Sequence, residues 1–197
     1  MPTIRTFIAV DLPGEIKAHI AEFVAPLRPL SRSIRWVRSE GLHLTLKFLG
    51  ELPRERVEEV ISALETALSG WPAFGFQLSG LGGFPDLRRP RVLWIGVGEG
   101  HQPLQELAGA VERALILCGF PPEKRPFSPH LTIGRVRSPH GLQAVLDRLP
   151  AIEYASGPIT AGAVKVMRSQ LKPTGAEYSA LKIIDLVTDT MNPHPRR

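Results

Sequence analysis

Two hydrophobic patterns divide the chain into strands and helices. Short segments rich in β-branched and aromatic residues predict strands over residues 4–10, 34–37, 74–78, 91–97, 159–167 and 178–186. Apolar residues at helical spacing predict four helices, which begin near Pro13, Pro53, Pro103 and Leu142. The chain thus has many strands and four interspersed helices, and several strands follow one another directly along the chain. This order predicts an α+β fold with largely antiparallel sheets.

Glycine and proline mark the expected ends of these elements. Gly50 is expected to end the strand before it, and residues 80–90 are expected to form a loop. In that loop, Gly80, Gly82 and Gly83 are interpreted as turn residues, because they lack the spacing of a nucleotide-binding glycine loop.

One short pattern occurs twice and carries the candidate chemistry. His43-Leu44-Thr45-Leu46 recurs as His130-Leu131-Thr132-Ile133, separated by close to half of the 197 residues. Alternate side chains of a strand point to one face, so the histidine and threonine of each copy lie side by side, roughly 7 Å apart. Two such strands supply two imidazoles for proton transfer and two hydroxyls that hold an anion. The alternative is a pair of ordinary strands, each with a histidine satisfied by a local hydrogen bond.

Segments around the motifs extend the pattern. They are Arg5-Thr6-Phe7-Ile8-Ala9, Asp11-Leu12-Pro13, Trp36-Val37, Lys47-Phe48-Leu49-Gly50, Pro90-Arg91-Val92-Leu93-Trp94-Ile95-Gly96, Phe127-Ser128-Pro129, Gly134-Arg135, and Ser169-Gln170-Leu171 with Gly175 and Tyr178. With these segments the chain resembles the 2H phosphoesterase superfamily, and within it the RNA 2′,3′-cyclic phosphodiesterases, first described as 2′-5′ RNA ligases. The half-length spacing of the motifs indicates an internal duplication into two lobes, each contributing one motif strand. The resemblance implies that a pseudo-two-fold axis relates these lobes and that the active-site groove lies between them.

Opening a 2′,3′-cyclic phosphate needs one acid and one base. An imidazole titrates near pH 6.5, so a neutral histidine can take a proton from water while a protonated one gives a proton to the departing ribose oxygen. Thr45 and Thr132 are placed to donate hydrogen bonds to the non-bridging oxygens. The near symmetry of the motifs leaves the acid unassigned, but the resemblance implies that His43 is the proton donor and His130 the proton acceptor, with a 2′-phosphomonoester as product. No carboxylate cluster adjoins either motif, so neither a metal nor a cofactor is expected.

Two basic residues follow the motifs on the same strands. Lys47 is two residues beyond Thr45, so a regular strand places it on the face of His43, where it either meets an RNA phosphate or is simply solvated. Arg135 is an odd number of residues from His130, so a regular strand turns it away from that histidine. Arg135 resembles a family position, and a structural ion pair is the alternative to a substrate contact.

Three aromatic residues flank the motif segments, namely Trp36, Phe48 and Phe127. Each is a candidate for stacking on a base, with burial in the core as the alternative. In a regular strand, Phe48 would point to the core face. The arginines between residues 88 and 91 offer an RNA-contacting edge or ordinary solvated surface.

Composition narrows the class of protein further. The net charge of +5 suits a polyanionic partner such as RNA. The single cysteine, Cys118, excludes an internal disulfide. The N-terminus has no signal-peptide hydrophobic region, and no apolar run reaches the roughly 18 residues of a membrane helix, so we expect a cytoplasmic protein with no membrane partner. We expect one bilobal domain over residues 1–190, a flexible tail over 191–197 and, by default, a monomer.

The leading hypothesis is metal-independent hydrolysis of RNA 2′,3′-cyclic phosphate ends or cyclic nucleotides. One rival at the same histidines is 2′-5′ RNA ligation, which mass action in water disfavours. Another is a non-catalytic RNA-binding module of the same fold, which would bind without turnover. A metallo-hydrolase with His43 and His130 as ligands is a third, although the sequence offers no obvious third protein ligand.

Overall fold

In the computed structural model, which describes residues 2–172 and 175–188, every pairing between named strands is antiparallel. The strands are β1 (Thr3–Asp11), β2 (Ile34–Trp36), β3 (His43–Pro53), β4 (Phe74–Phe76), β5 (Leu78–Phe84), β6 (Val92–Val97), β7 (His130–Val136), β8 (Ile159–Ala161), β9 (Ala163–Lys172) and β10 (Gly175–Asp185). The α-helices are α1 (Gly14–Val24), α2 (Arg54–Ala67), α3 (His101–Leu117) and α4 (Gln143–Leu146).

Most strands join one sheet that consists of two halves. Within the described ranges the order is β10-β9-β1-β3-β7-β6-β5, with β2 also paired to β7, while β4 and β8 pair separately. The halves meet where Leu44 of β3 pairs with Leu131 of β7, whereas β1 follows β3 over nine residue pairs. Each half therefore contains one motif strand, which confirms the predicted α+β fold with two antiparallel lobes.

One face of the sheet is buried under the helices. The core contains Ile8 and Val10 of β1, Leu44 of β3, and Leu131 and Ile133 of β7. The helices contribute apolar stripes to this core, namely Ile16, Ile20 and Val24 of α1, Val57, Val60 and Leu64 of α2, and Leu104, Leu107, Val111 and Leu115 of α3. The other face of the two motif strands is thus left for the polar residues of the motifs.

Predicted boundaries were wrong at two places that bear on the site. Strand β3 does not end at Gly50 but continues to Pro53, because Gly50 takes a φ of 79° within a local irregularity of the β1–β3 pairing. Residues 80–84 belong to strand β5 and not to a loop. A Cβ at Gly82 would lie 2.2 Å from the Trp94 ring, so this glycine lets an indole pack across the strand.

Other expectations fall partly outside the described structure. Among the described residues, no helix is long and apolar enough to span a bilayer. The predicted tail over 191–197 lies outside the described residues, and the domain boundary at residue 190 stays a prediction.

Candidate active site

The pairing of Leu44 with Leu131 fixes how the two motifs meet. Residues directly opposite in an antiparallel pair point to the same face, here the core. The residues on either side of each leucine therefore share the opposite face, and the register sets the histidine of each motif across from the threonine of the other. The predicted set of His43, Thr45, His130 and Thr132 thus lies together on one face of adjoining strands.

The His43 imidazole lies in an aromatic enclosure. Its ring stacks on Phe7 with centroids 4.7 Å apart and meets the edge of Tyr178 at 5.1 Å. One ring N–H donates to the Gly41 carbonyl, two residues upstream. Burial among these rings lowers the pKa of His43 to about 4, against the opposing influence of the Asp11 carboxylate and the Gly41 hydrogen bond.

Asp11 lies directly across from His43 in the pairing of β1 with β3. Its two oxygens bind two ammonium groups, from Lys17 at 2.6 Å and Lys165 at 2.7 Å. The Leu12 amide also donates to the carboxylate, at 2.9 Å. Burial raises the pKa of Asp11, but these lysine and amide contacts outweigh it and hold the pKa below its usual range. Asp11 is therefore ionised at neutral pH and puts a negative charge beside His43.

His130 has a parallel environment in the other half of the sheet. Its Nδ1 lies 2.7 Å from the Ser128 carbonyl oxygen, again two residues upstream. The Phe84 ring stands edge-on at 4.8 Å, and the Trp94 ring lies at 6.4 Å. Burial lowers the pKa of His130, opposed by the Ser128 hydrogen bond. Both imidazoles are thus desolvated by aromatic rings and oriented by a carbonyl at the same sequence offset.

A known protein family also matches the two halves of the chain separately. The LigT like Phosphoesterase family matches this chain twice, over residues 10–94 and 95–178. The chain belongs to this family.

Named relatives of this LigT-like protein come from archaea and bacteria. It is 35% identical over 181 residues to the RNA 2′,3′-cyclic phosphodiesterase of Thermotoga maritima, covering 90% of this chain and 93% of that protein. It is 29% identical over 184 residues to the protein of the same name from Methanothermobacter thermautotrophicus, covering 93% of this chain and 99% of that protein.

Solved structures share the fold of this LigT-like protein over nearly its whole length. TT0787 of Thermus thermophilus superposes with a TM-score of 0.79 at 28% identity, covering 94% of this chain and all of that one. E. coli LigT in complex with 3′-AMP superposes with a TM-score of 0.75 at 27% identity, covering 93% of this chain and 98% of that one.

A register shift in each motif strand reverses the side-chain parity after the threonine. Along β3, Ala9 pairs with Thr45 but Ile8 pairs with Lys47, which leaves Leu46 without an opposite residue. Along β7, Trp94 pairs with Thr132 but Leu93 pairs with Gly134, which leaves Ile133 without one. This is the geometry of a β-bulge, in which one extra residue turns the following side chains to the other face.

The bulge in β3 makes the prediction for Lys47 wrong. Lys47 does not share the face of His43 but is 5% exposed on the core side. Its ammonium group donates to Glu112 of α3 at 2.6 Å and to the Pro121 carbonyl at 2.9 Å. The second oxygen of Glu112 accepts from the Glu123 amide at 2.7 Å. Lys47 therefore joins the first motif strand to the segment that leads into the second.

The same bulges make the predicted orientations of Phe48 and Arg135 wrong, because both side chains were expected to point away from the histidines. Phe48 leaves the core face, is 50% exposed and lies 5.4 Å from the Phe7 ring. Arg135 pairs with Val92, two residues from Trp94 on a regular stretch of β6, so it shares the face of His130 instead of turning away. Its positive charge contributes to lowering the pKa of both histidines.

The remaining aromatic candidates, Trp36 and Phe127, are partly buried. Trp36 pairs with Gly134 on the core side of β2 and packs against the core, and Phe127 packs against the core as well. Of the two aromatic candidates that lie in strands, Phe48 is on the face of the histidines and Trp36 is on the core face.

The sequence predicted no role beside the imidazoles for Phe7, Asp11, Phe84, Trp94 or Tyr178, although all of these except Phe84 lie in the segments that carry the family resemblance. Phe7 and Asp11 have the same parity on β1, which marks them as one face of a strand. Nothing in the sequence says that this strand pairs with β3. Across the described ranges, no group of three or more His, Cys, Asp or Glu side chains is arranged to hold a metal ion.

Proposed function

We propose that this LigT-like protein hydrolyses RNA 2′,3′-cyclic phosphate ends to 2′-phosphomonoesters without a metal ion, with His43 as proton donor and His130 as proton acceptor. The observation that carries the proposal is the placement of both imidazoles on one face, each with one ring nitrogen held by a backbone carbonyl. The named relatives, RNA 2′,3′-cyclic phosphodiesterases, support the same substrate class.

The proposed step divides proton transfer between the two motifs. Neutral His130 accepts a proton from a water molecule as the water oxygen bonds to phosphorus. The bond from phosphorus to the ribose 3′ oxygen breaks, and protonated His43 gives that oxygen its proton. Thr45 and Thr132 donate hydrogen bonds to the non-bridging oxygens, where negative charge accumulates. Each proton transfer is worth roughly 100- to 10,000-fold in rate.

The hydrogen bonds of the rings support these roles. Nδ1 of neutral His130 donates to the Ser128 carbonyl, so the lone pair is on Nε2, the nitrogen available to act as a base. The lowered pKa of His130 keeps that ring neutral at pH 7. His43 has to be protonated when it acts, and the phosphate anion bound beside it would add to the influence of Asp11, which already opposes the fall in its pKa.

Two further side chains on this face are suited to bind the nucleotide. The half-exposed Phe48 ring offers a face on which a base can stack. Arg135 can offer its guanidinium group to phosphate oxygens. Crystal structures of E. coli LigT with 3′-AMP and with phosphate support a nucleotide phosphate as the ligand of this groove.

The experiment uses a 2′,3′-cyclic mononucleotide and an oligoribonucleotide with a cyclic phosphate end, both in excess EDTA, and resolves 2′- from 3′-phosphate products. We expect 2′-phosphate from both substrates. A 3′-phosphate product would reverse the leaving group and contradict the role of His43. RNA binding without turnover would favour a non-catalytic RNA-binding module. Cytoplasmic location and a monomeric state stay predictions.

A further inference from the structure

Two arginines face one another across neighbouring strands beside the proposed catalytic groups. Arg35 of β2 pairs directly with Arg135 of β7, so both side chains leave the sheet on the same face. Arg135 shares that face with His130, which puts Arg35 on the groove side as well. Like charges directly opposite one another destabilise a strand pair, so the arrangement calls for an anion that neutralises it.

The described residues provide no such anion. Among residues 2–172 and 175–188, no carboxylate lies within ion-pair distance of Arg35 or of Arg135. Both side chains are exposed to solvent. The structure thus holds two unneutralised guanidinium groups at the edge of the groove.

Arg35 also reaches toward the other half of the sheet. A Cβ built on Gly175, the first residue of β10, would lie 2.8 Å from the Arg35 guanidinium nitrogen Nη2. The backbone at Gly175 has a φ of 140°, a conformation that favours glycine. Arg35 therefore lies beside the strand that carries Tyr178, one of the rings around His43.

The position along the sheet indicates which phosphate this pair meets. Thr132 pairs with Trp94, and Arg135 pairs with Val92, two residues further along β6. Two residues of a strand span roughly 7 Å, so the arginine pair lies about one nucleotide step from the motif threonines. A guanidinium group binds a phosphodiester through two parallel hydrogen bonds, a geometry that a lysine cannot reproduce.

We propose that Arg35 and Arg135 form a subsite for the phosphodiester immediately 5′ of the cyclic phosphate, so that the enzyme selects RNA ends over free cyclic nucleotides. This inference rests on the proposed function, because it places a second phosphate relative to the one that reacts. It assigns Arg35, which the motifs do not contain, to substrate recognition.

The test compares two dinucleotides that end in a 2′,3′-cyclic phosphate. One has a natural phosphodiester between its nucleosides, and the other has an uncharged methylphosphonate there. The ratio of their kcat/KM values is measured for each enzyme, so any loss of folded protein cancels. We expect the wild type to favour the phosphodiester by about 100-fold, about 10-fold for each charge-assisted contact, and Arg35→Gln to lower the ratio to about 10-fold, because Arg135 remains. The ratio for Arg35→Lys should lie between those of Arg35→Gln and the wild type.

A matched control is Arg54→Gln. The Arg54 side chain is 80% exposed on α2, which packs on the opposite face of the sheet, so this variant should keep the wild-type ratio. A wild-type ratio near one, or an unchanged ratio in Arg35→Gln, would overturn the subsite. Turnover of the cyclic mononucleotide by the wild type tests the proposed function separately, so those two results would overturn the subsite alone. Failure of the wild type to hydrolyse any cyclic substrate would overturn both.

Discussion

Leu46 of β3 and Ile133 of β7 occupy the same place in the two halves of the sheet, directly after a motif threonine and without an opposite residue in the neighbouring strand. Both bulges turn the next residue, Lys47 or Gly134, toward the core, where both are buried. Both return the residue after that, Phe48 or Arg135, to the face of the histidines. The repeat therefore extends beyond the four motif residues and supplies each lobe with one further groove side chain.

Replacing Phe48 by alanine should weaken substrate binding and leave the proton transfers largely intact. Loss of a base-stacking ring costs about 1–3 kcal/mol, so we expect KM to rise about 10-fold or more while kcat changes by less than about 3-fold. Steady-state kinetics with a cyclic-phosphate-ended oligonucleotide measure both values. Leu117→Ala on α3, where the side chain is 89% exposed, is the control and should leave KM unchanged. An unchanged KM in the Phe48 variant would mean that this ring does not meet the base.

Replacing Lys47 by methionine should destabilise the fold and not impair RNA binding. The substitution leaves a Glu112 oxygen and the Pro121 carbonyl without their buried donor. Removing one partner of such a pair costs about 3 kcal/mol in free energy of unfolding, which denaturant titration measures.

Lys182→Met is the matched control for Lys47. Lys182 pairs with Glu65, but its side chain is 42% exposed, so its loss should cost less than about 1 kcal/mol. In the Lys47 variant, KM for RNA and its salt dependence should stay at wild-type values. A raised KM with unchanged stability would instead identify Lys47 as a phosphate contact.

The pH dependence of kcat/KM should have its maximum below pH 6.5. Catalysis needs one protonated and one neutral imidazole, a state most populated between the two pKa values of the free enzyme. Burial lowers the pKa of both histidines from the usual value near 6.5, and lowers that of His43 to about 4. Both imidazoles are therefore largely neutral above pH 6.5, so the activity should fall there. The bound phosphate anion favours imidazolium, so the maximum of kcat should lie at higher pH. A kcat/KM maximum at or above pH 7 would contradict this account.

The sequence predicted the placement of the four motif side chains better than the boundaries of the strands. Strict alternation sufficed for His43, Thr45, His130 and Thr132, because the strands are regular across those residues. The same rule of alternation failed for Lys47 and the other residues beyond the threonines. A bulge depends on the pairing register of two strands, and the hydrophobic pattern of a single strand does not reveal it.

The contacts that the sequence did not predict come from the pairing of strands that lie far apart along the chain. Asp11 faces His43 only because β1 pairs with β3, and Arg35 faces Arg135 only because β2 pairs with β7. Strand β5 escaped prediction because its glycines resemble a turn, whereas Gly82 accommodates the Trp94 ring from a neighbouring strand. Each of these relationships joins segments whose pairing no local pattern encodes.

The most direct test of the division of labour between the two histidines replaces the 3′ bridging oxygen of the cyclic phosphate by sulfur. A thiol has a pKa of about 8.5, so a departing thiolate needs no proton from an acid, whereas a departing ribose oxygen does. With the natural substrate, His43→Ala and His130→Ala should each lose roughly 100- to 10,000-fold in kcat/KM. With the sulfur substrate, we expect the kcat/KM of His43→Ala to recover to within about 10-fold of the wild type and that of His130→Ala to keep its full loss. Recovery of His130→Ala, or of neither variant, would contradict the assignment of His43 as the acid.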